Sequence, residues 1–101
     1  VPEDGCRIDV WLWRARFFKT RGRAAAMAEA GRIRLTRLGV ATRLDKASRV
    51  VKPGDELVFA ISGRLTAVRV TAAGARRGPP AEARGLYDPL DAPPIGDLDA
   101  S

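Results

Sequence analysis

The stretch "IDVWLWRARFFKTRGRAAAMAEAGRIRLT", residues 8–36, decides the fold. From Asp9 to Phe18 it reads as a helix, with Ile8, Trp11, Leu12, Ala15 and Phe18 on one face by their i, i+3, i+4, i+7 spacing. Val10, Trp13 and Phe17 form a second apolar strip on roughly the opposite side, with Arg14 and Asp9/Arg16 between the strips. A helix apolar on both sides is covered on both sides. One strip is expected to meet a second helix and a sheet, the other the C-terminal segment. After about two linking residues, Thr20 reads as an N-cap, and an alanine-rich helix runs from Arg21 to Ala30. Gly31 is a natural stop, because glycine takes positive φ at little cost. The period then changes to two: Ile33 and Leu35 point one way, Arg32, Arg34 and Thr36 the other, which predicts a strand.

Downstream, "RLGVATRLDKAS" (37–48) reads as a loop with at most a short strand near Val40. "VVKPGDELVFAI" (50–61) predicts a turn at Pro53-Gly54 and a strand from Glu56 to Ile61. Ser62-Gly63 predicts a hairpin turn, and "RLTAVRVTA" (64–72) the returning strand. The expected fold class is α+β, two N-terminal helices packed on a small antiparallel sheet of three to five short strands. Residues 6–75 are expected to form the domain, 76–87 a segment packing on it, and 88–101, rich in acids and turn formers, a disordered tail.

Charge is distributed unevenly. Residues 1–78 carry 17 basic and 7 acidic side chains, whereas residues 79–101 carry one basic and five acidic. A body this basic points to a polyanionic partner. With no histidine and a single cysteine, His-based acid–base catalysis, His triads, intrachain disulfides and most zinc sites are excluded. Cys6 reads as an inert small residue. No apolar run approaches a membrane span, so a cytoplasmic location without membrane contact is expected.

The second helix poses a question of sign. Arg21 and Arg23 stand in its first turn, with Lys19 just before, where the helix dipole is already positive. Each such cation typically costs about 0.3–1 kcal/mol. A phosphate held at the free backbone N–H groups would reverse that cost. Arg32, Arg34 and Thr36 lie on the polar face of the next strand. Arg7, Arg14 and Arg16 lie on or before the first helix, and Lys46, Ser48, Arg49 and Lys52 precede the Pro53-Gly54 turn. Converging on one groove, they would contact RNA phosphates. Trp11 and Trp13 fit apolar helical faces and read as core, and no aromatic stacking platform is evident.

The residues Arg7-Ile8-Asp9, Trp11-Leu12-Trp13, Ala15-Arg16-Phe17, Lys19-Thr20-Arg21, Gly31, Lys46-x-Ser48 and Val51-Lys52-Pro53-Gly54-Asp55 carry a resemblance. Together they closely resemble the RNA-binding domain first seen in ribosomal protein S-four, the αL motif. Within that superfamily they resemble the ribosome-associated heat shock protein fifteen family most. The resemblance spans about residues 6–88. It implies a non-catalytic protein acting on structured RNA; no cofactor or metal is expected, and the chain is expected to be a monomer. The expected RNA is rRNA of the large ribosomal subunit, with tRNA a further candidate. By position it implies RNA contacts at Arg7, Lys19, Thr20, Arg21, Arg34, Lys46 and Ser48, with Arg16 and Arg23 added. Asp9 is expected to orient Arg7 or cap the first helix.

Two departures stand out. The family commonly has a short Asn-Gly-like turn between its first two strands, where "TRLGVATRLD" (36–45) reads as a longer connection, and Ala47 stands where a proline is common. Relatives also often continue into a basic extension, where this chain turns acidic. The alternative reading is the RNA-targeting part of an RNA-modifying enzyme such as a pseudouridine synthase or methyltransferase. A helix-turn-helix DNA binder is disfavoured, because the exposed positions after "KTRGR" (19–23) are mostly alanine.

Overall fold

The computed structural model describes residues 5–61 and 63–90. After a two-residue strand β1 (Cys6–Arg7), helix α1 spans Ile8–Arg14, ending four residues before the predicted Phe18. Its end explains the difference. Phe17 N–H bonds the Leu12 carbonyl at 3.1 Å and Arg16 N–H bonds the Trp13 carbonyl at 3.1 Å, the paired closure of a Schellman motif. Arg16 takes the left-handed position at φ 66, where glycine is usual. The reversal turns Phe17 and Phe18 back onto the core, so they mimic helical periodicity without being helical. The link to the next helix is therefore residues 15–20 rather than two residues.

Helix α2 (Arg21–Glu29) is capped by the Thr20 hydroxyl, which accepts the Arg23 N–H at 3.1 Å. It closes in the same way as α1: Gly31 N–H bonds the Ala28 carbonyl, Arg32 N–H bonds the Met27 carbonyl, and Gly31 has φ 74. Ala24 and Ala28 are fully buried, and their size lets α2 lie close against α1.

The main sheet has five strands: β2 (Ile33–Arg37), β3 (Val40–Leu44), β5 (Glu56–Ile61), β6 (Arg64–Val70) and β7 (Tyr87–Leu90), ordered β3-β2-β5-β6-β7 and antiparallel throughout. A short strand β4 (Val50–Val51) pairs with β1 in a second, two-stranded sheet. One face of the main sheet supplies Ile33, Leu35, Leu57, Phe59, Val68 and Val70 to the core, where Ile8, Trp11 and Leu12 of α1 join them. This is the α+β architecture expected.

Two segments differ from expectation. Residues 40–44 form a full strand, joined to β2 by the two-residue turn Leu38-Gly39, with φ 52 and 81. The connection is therefore as short as the family's Asn-Gly-like turn. The sequence does not display this strand, because β3 is an edge strand exposed from Val40 to Arg43, with only Leu44 buried, and so carries no apolar alternation. Residues 88–90, assigned to the disordered tail, belong to β7. Pro89 is tolerated there because, among the described residues, β7 is an edge strand, hydrogen-bonded on one side only. Residues 91–101 lie outside the described residues, as does Ser62 of the predicted Ser62-Gly63 turn.

Between β6 and β7, helix α3 (Pro80–Ala83) and a 3-10 turn (Arg84–Leu86) pack Ala83 and Leu86 inward. Trp11 Nε1 donates to the Ala72 carbonyl at 2.8 Å, and Arg14 donates to the Gly74 carbonyl at 2.8 Å. Trp13 and Phe17 of the second strip meet the C-terminal segment, but the two strips do not divide as expected, since Trp11 of the first strip meets it too and Phe17 also packs on Phe59 of the sheet. The Arg77 guanidinium sits 5.9 Å from the Trp13 ring centroid, and Phe17 lies 4.7 Å from the Tyr87 ring.

Candidate nucleic-acid interface

Lys19, Thr20, Arg21 and Arg23 gather at the N-terminus of α2 and are all exposed. Lys19 and Arg23 line an open groove together with Arg32, over a floor of Phe17, Phe18, Met27 and Ile61. Among the described residues none of Lys19, Arg21, Arg23 and Arg32 pairs with a carboxylate, whereas Arg7, Arg37, Arg69 and Arg76 each do. The charges that strain the helix end are thus left uncompensated.

Lys46 and Ser48 line a second recess with Arg43 and Arg49. This loop docks on the start of α1, where Ile8 N–H donates to the Arg49 carbonyl at 2.7 Å and Asp9 N–H to the Ala47 carbonyl at 3.5 Å. Ala47 is buried in that contact. Arg7 lies at the same end, through its backbone pairing with Val50. Its guanidinium forms two bonds with the buried Asp9 carboxylate, at 3.1 and 3.0 Å. Asp9 thus orients Arg7, while the cap position of α1 is held by Arg7 without a side-chain bond.

Arg34 projects from the sheet face opposite the core, between Arg43 on β3 and Val58 on β5. Its Nη2 is buried without a hydrogen-bond partner among the described residues. Arg43 links the two basic zones. It is the cross-strand neighbour of Arg34, lines the recess of Lys46 and Ser48, and lays its side chain against Gly31 at the end of α2, beside Arg32. The nine candidates therefore do not share one face. Eight lie on two zones that adjoin through Arg32 and Arg43. Arg16 stands apart, its Nε donating to the Gly78 carbonyl at 2.6 Å. Sequence reasoning passed over Arg43 because the strand carrying it had been read as loop.

A second feature it passed over is structural. Asp55 accepts Arg37 Nε and Nη2 at 2.9 and 2.7 Å and the Lys52 N–H at 2.8 Å, with its side chain 4% exposed. Burial pushes its carboxyl up, but the Arg37 hydrogen bonds, the Lys52 N–H and the charges of Arg37 and Arg49 outweigh burial and hold it below the usual carboxylate range. Arg37 Nη2 also donates to the Val50 carbonyl, tying the β2–β3 hairpin to the Pro53-Gly54 turn.

Cys6 is half-buried, and burial raises its thiol pKa, with Asp9 adding to and Arg14 opposing the shift. It stays a protonated thiol at neutral pH. Among the described residues no cluster of potential metal ligands occurs, and no helix is long and apolar enough to cross a membrane.

Two helices layered on an antiparallel sheet, with cations around the N-terminus of the second, are the arrangement expected from the resemblance to the S-four-type domain. The chain is 35% identical over 88 residues to the heat shock protein 15 homolog of Haemophilus influenzae, covering 86% of this chain and 63% of that protein. It is 34% identical over 87 residues to heat shock protein 15 of Escherichia coli K12, covering 86% of this chain and 62% of that one. The solved structure of Vibrio cholerae heat shock protein 15, described as trimeric, matches with a TM-score of 0.75 at 29% identity, covering 85% of this chain and 82% of that one. No protein-family model matches the chain. Over the residues they share, this chain is similar in sequence and in fold to these heat shock protein 15 relatives, and it spans somewhat less than two thirds of the curated relatives' length.

Proposed function

We propose that this chain is a non-catalytic, cytoplasmic RNA-binding protein that docks on structured ribosomal RNA of the large subunit. The observation that carries this reading is the set of cations without a carboxylate partner among the described residues, at the start of α2 and along the adjoining groove: Lys19, Arg21, Arg23 and Arg32. A free helix N-terminus and guanidinium forks both suit phosphate oxygens. The recess of Lys46 and Ser48, joined through Arg43, extends the same surface toward Arg34 and Arg7. Binding through such a surface is electrostatic and geometric, and it weakens steeply with salt.

Co-sedimentation with separated ribosomal subunits at low and high salt tests this. The chain should pellet with the large subunit at low salt and be released as salt rises, and a Lys19→Ala/Arg21→Ala/Arg23→Ala variant should be released earlier. Equal retention of that variant would remove these residues from the interface. We take one copy as the docking unit. Sedimentation velocity tests that against the trimer described for the Vibrio cholerae relative.

A further inference from the structure

A surface that binds phosphates alone needs cations and N–H groups, not an apolar floor. The groove along α2 has both. Its floor, Phe17, Phe18, Met27 and Ile61, consists of side chains half-buried against the core on one side and open to the groove on the other. Ala26, Ala30 and Ala60 line it as well, with nothing beyond Cβ to fill it. At about 480 Å³ it falls within the roughly 300–1,000 Å³ of small-ligand sites. Phe18 is braced from behind by Phe59, with ring centroids 6.2 Å apart, so its ring is held in place before any guest arrives.

The guest must bring an apolar group into a recess while presenting negative charge at the rim, where Lys19, Arg23 and Arg32 have no carboxylate partner among the described residues. An acyl membrane offers the reverse geometry, since its anionic headgroups lie outermost and its apolar part is reached by a protruding side chain. A polynucleotide with an unstacked base fits, because a flat apolar face then alternates with phosphates along one strand. We propose that this groove takes an unstacked nucleobase of the bound RNA, laid against Phe18 and Met27, with the flanking phosphates on Lys19, Arg23 and Arg32. The preferred RNA is then a helix interrupted by a bulge or loop rather than a continuous duplex. This rests on the RNA-binding reading above and sharpens it.

The test uses the full chain and three RNA hairpins of one sequence: one fully paired, one with a single 2-aminopurine bulge, one with that bulge abasic. The bulged hairpin should bind at least fivefold tighter than the paired one, its fluorescence should change on binding, and the abasic hairpin should lose the advantage. Ala26→Leu/Ala30→Leu fills the groove from exposed positions on α2 and at its C-cap, and Phe18→Leu removes the flat ring while keeping apolar bulk. Both should abolish the bulge preference while leaving the salt slope for paired RNA in place. Equal binding of all three hairpins with a normal salt slope overturns the nucleobase site and leaves RNA docking standing. Absence of salt-sensitive binding to any of them overturns both. Phosphatidylserine vesicles that bind the chain, and fail to bind the groove-filled variant, would assign the groove to lipid and likewise overturn the proposal.

Discussion

At the scale of single residues, Asp55 carries the most consequence for the free protein. Its carboxylate collects two guanidinium bonds and one backbone N–H while almost fully buried, so Asp55→Ala leaves Arg37 and the Lys52 N–H without that partner. Arg37 retains some water contact, which lowers the penalty below that of a fully buried pair. A loss of about 2–3 kcal/mol is expected in urea unfolding at neutral pH. Because the folded carboxyl titrates below its unfolded value, the stability it confers is present above about pH 4 and is lost as pH falls through the depressed folded value. The acid limb of the stability profile should therefore flatten in Asp55→Ala. Of this pair the sequence displayed only half. Asp55 is visible in the Pro53-Gly54-Asp55 turn, but Arg37 lies 18 positions away on a strand whose partner had gone unread. By contrast, Arg7 and Asp9 stand two apart, and their pairing was legible.

At the scale of elements, local signals serve well where burial and period agree and fail where they part. α2 was legible because Thr20 and Gly31 mark both ends. The sequence makes α1 look too long because Phe17 and Phe18 are half-buried by a chain reversal at Arg16, which apolar periodicity cannot distinguish from another helical turn. β3 was missed because an exposed edge has no apolar face to betray it. Its turn offers a clean test. Leu38 is 97% exposed in the left-handed conformation at φ 52, a place that favours asparagine. Leu38→Asn should stabilise the chain by about 0.5–1 kcal/mol, read as a raised Tm. In α2 two substitutions should act with opposite sign. Thr20→Ala removes the cap to Arg23 N–H and should cost about 0.5–2 kcal/mol. Arg21→Ala/Arg23→Ala relieves the dipole and should leave the free domain as stable or slightly more so at low salt, while weakening RNA binding. A variant that gains stability as it loses affinity would identify these arginines as kept for a ligand rather than for the fold.

At the scale of the whole molecule, net charge alone does not define a docking surface; the pairing state of each cation does. Arg69 and Arg76 contribute as much to the formal charge as Arg21 and Arg23, yet they face Glu56 and Glu82 at 3.1 Å each. This distinction could not be read from the sequence, because Glu56 and Arg69 meet only through the β5–β6 register. Counterion release supplies the measurement. Each phosphate neutralised contributes roughly 0.7–0.9 to the slope of log K against log salt. Lys19→Ala/Arg21→Ala/Arg23→Ala should reduce that slope by about 2–3 if each cation meets one phosphate. Arg69→Ala/Arg76→Ala lowers the formal charge by two and should leave the slope nearly unchanged, since it removes cations already matched within the fold. If both variants lost slope in proportion to charge removed, RNA would be responding to the overall field and the α2 end would hold no special place. A loss confined to the first variant follows only when the unmatched cations around α2 are the groups that touch phosphate.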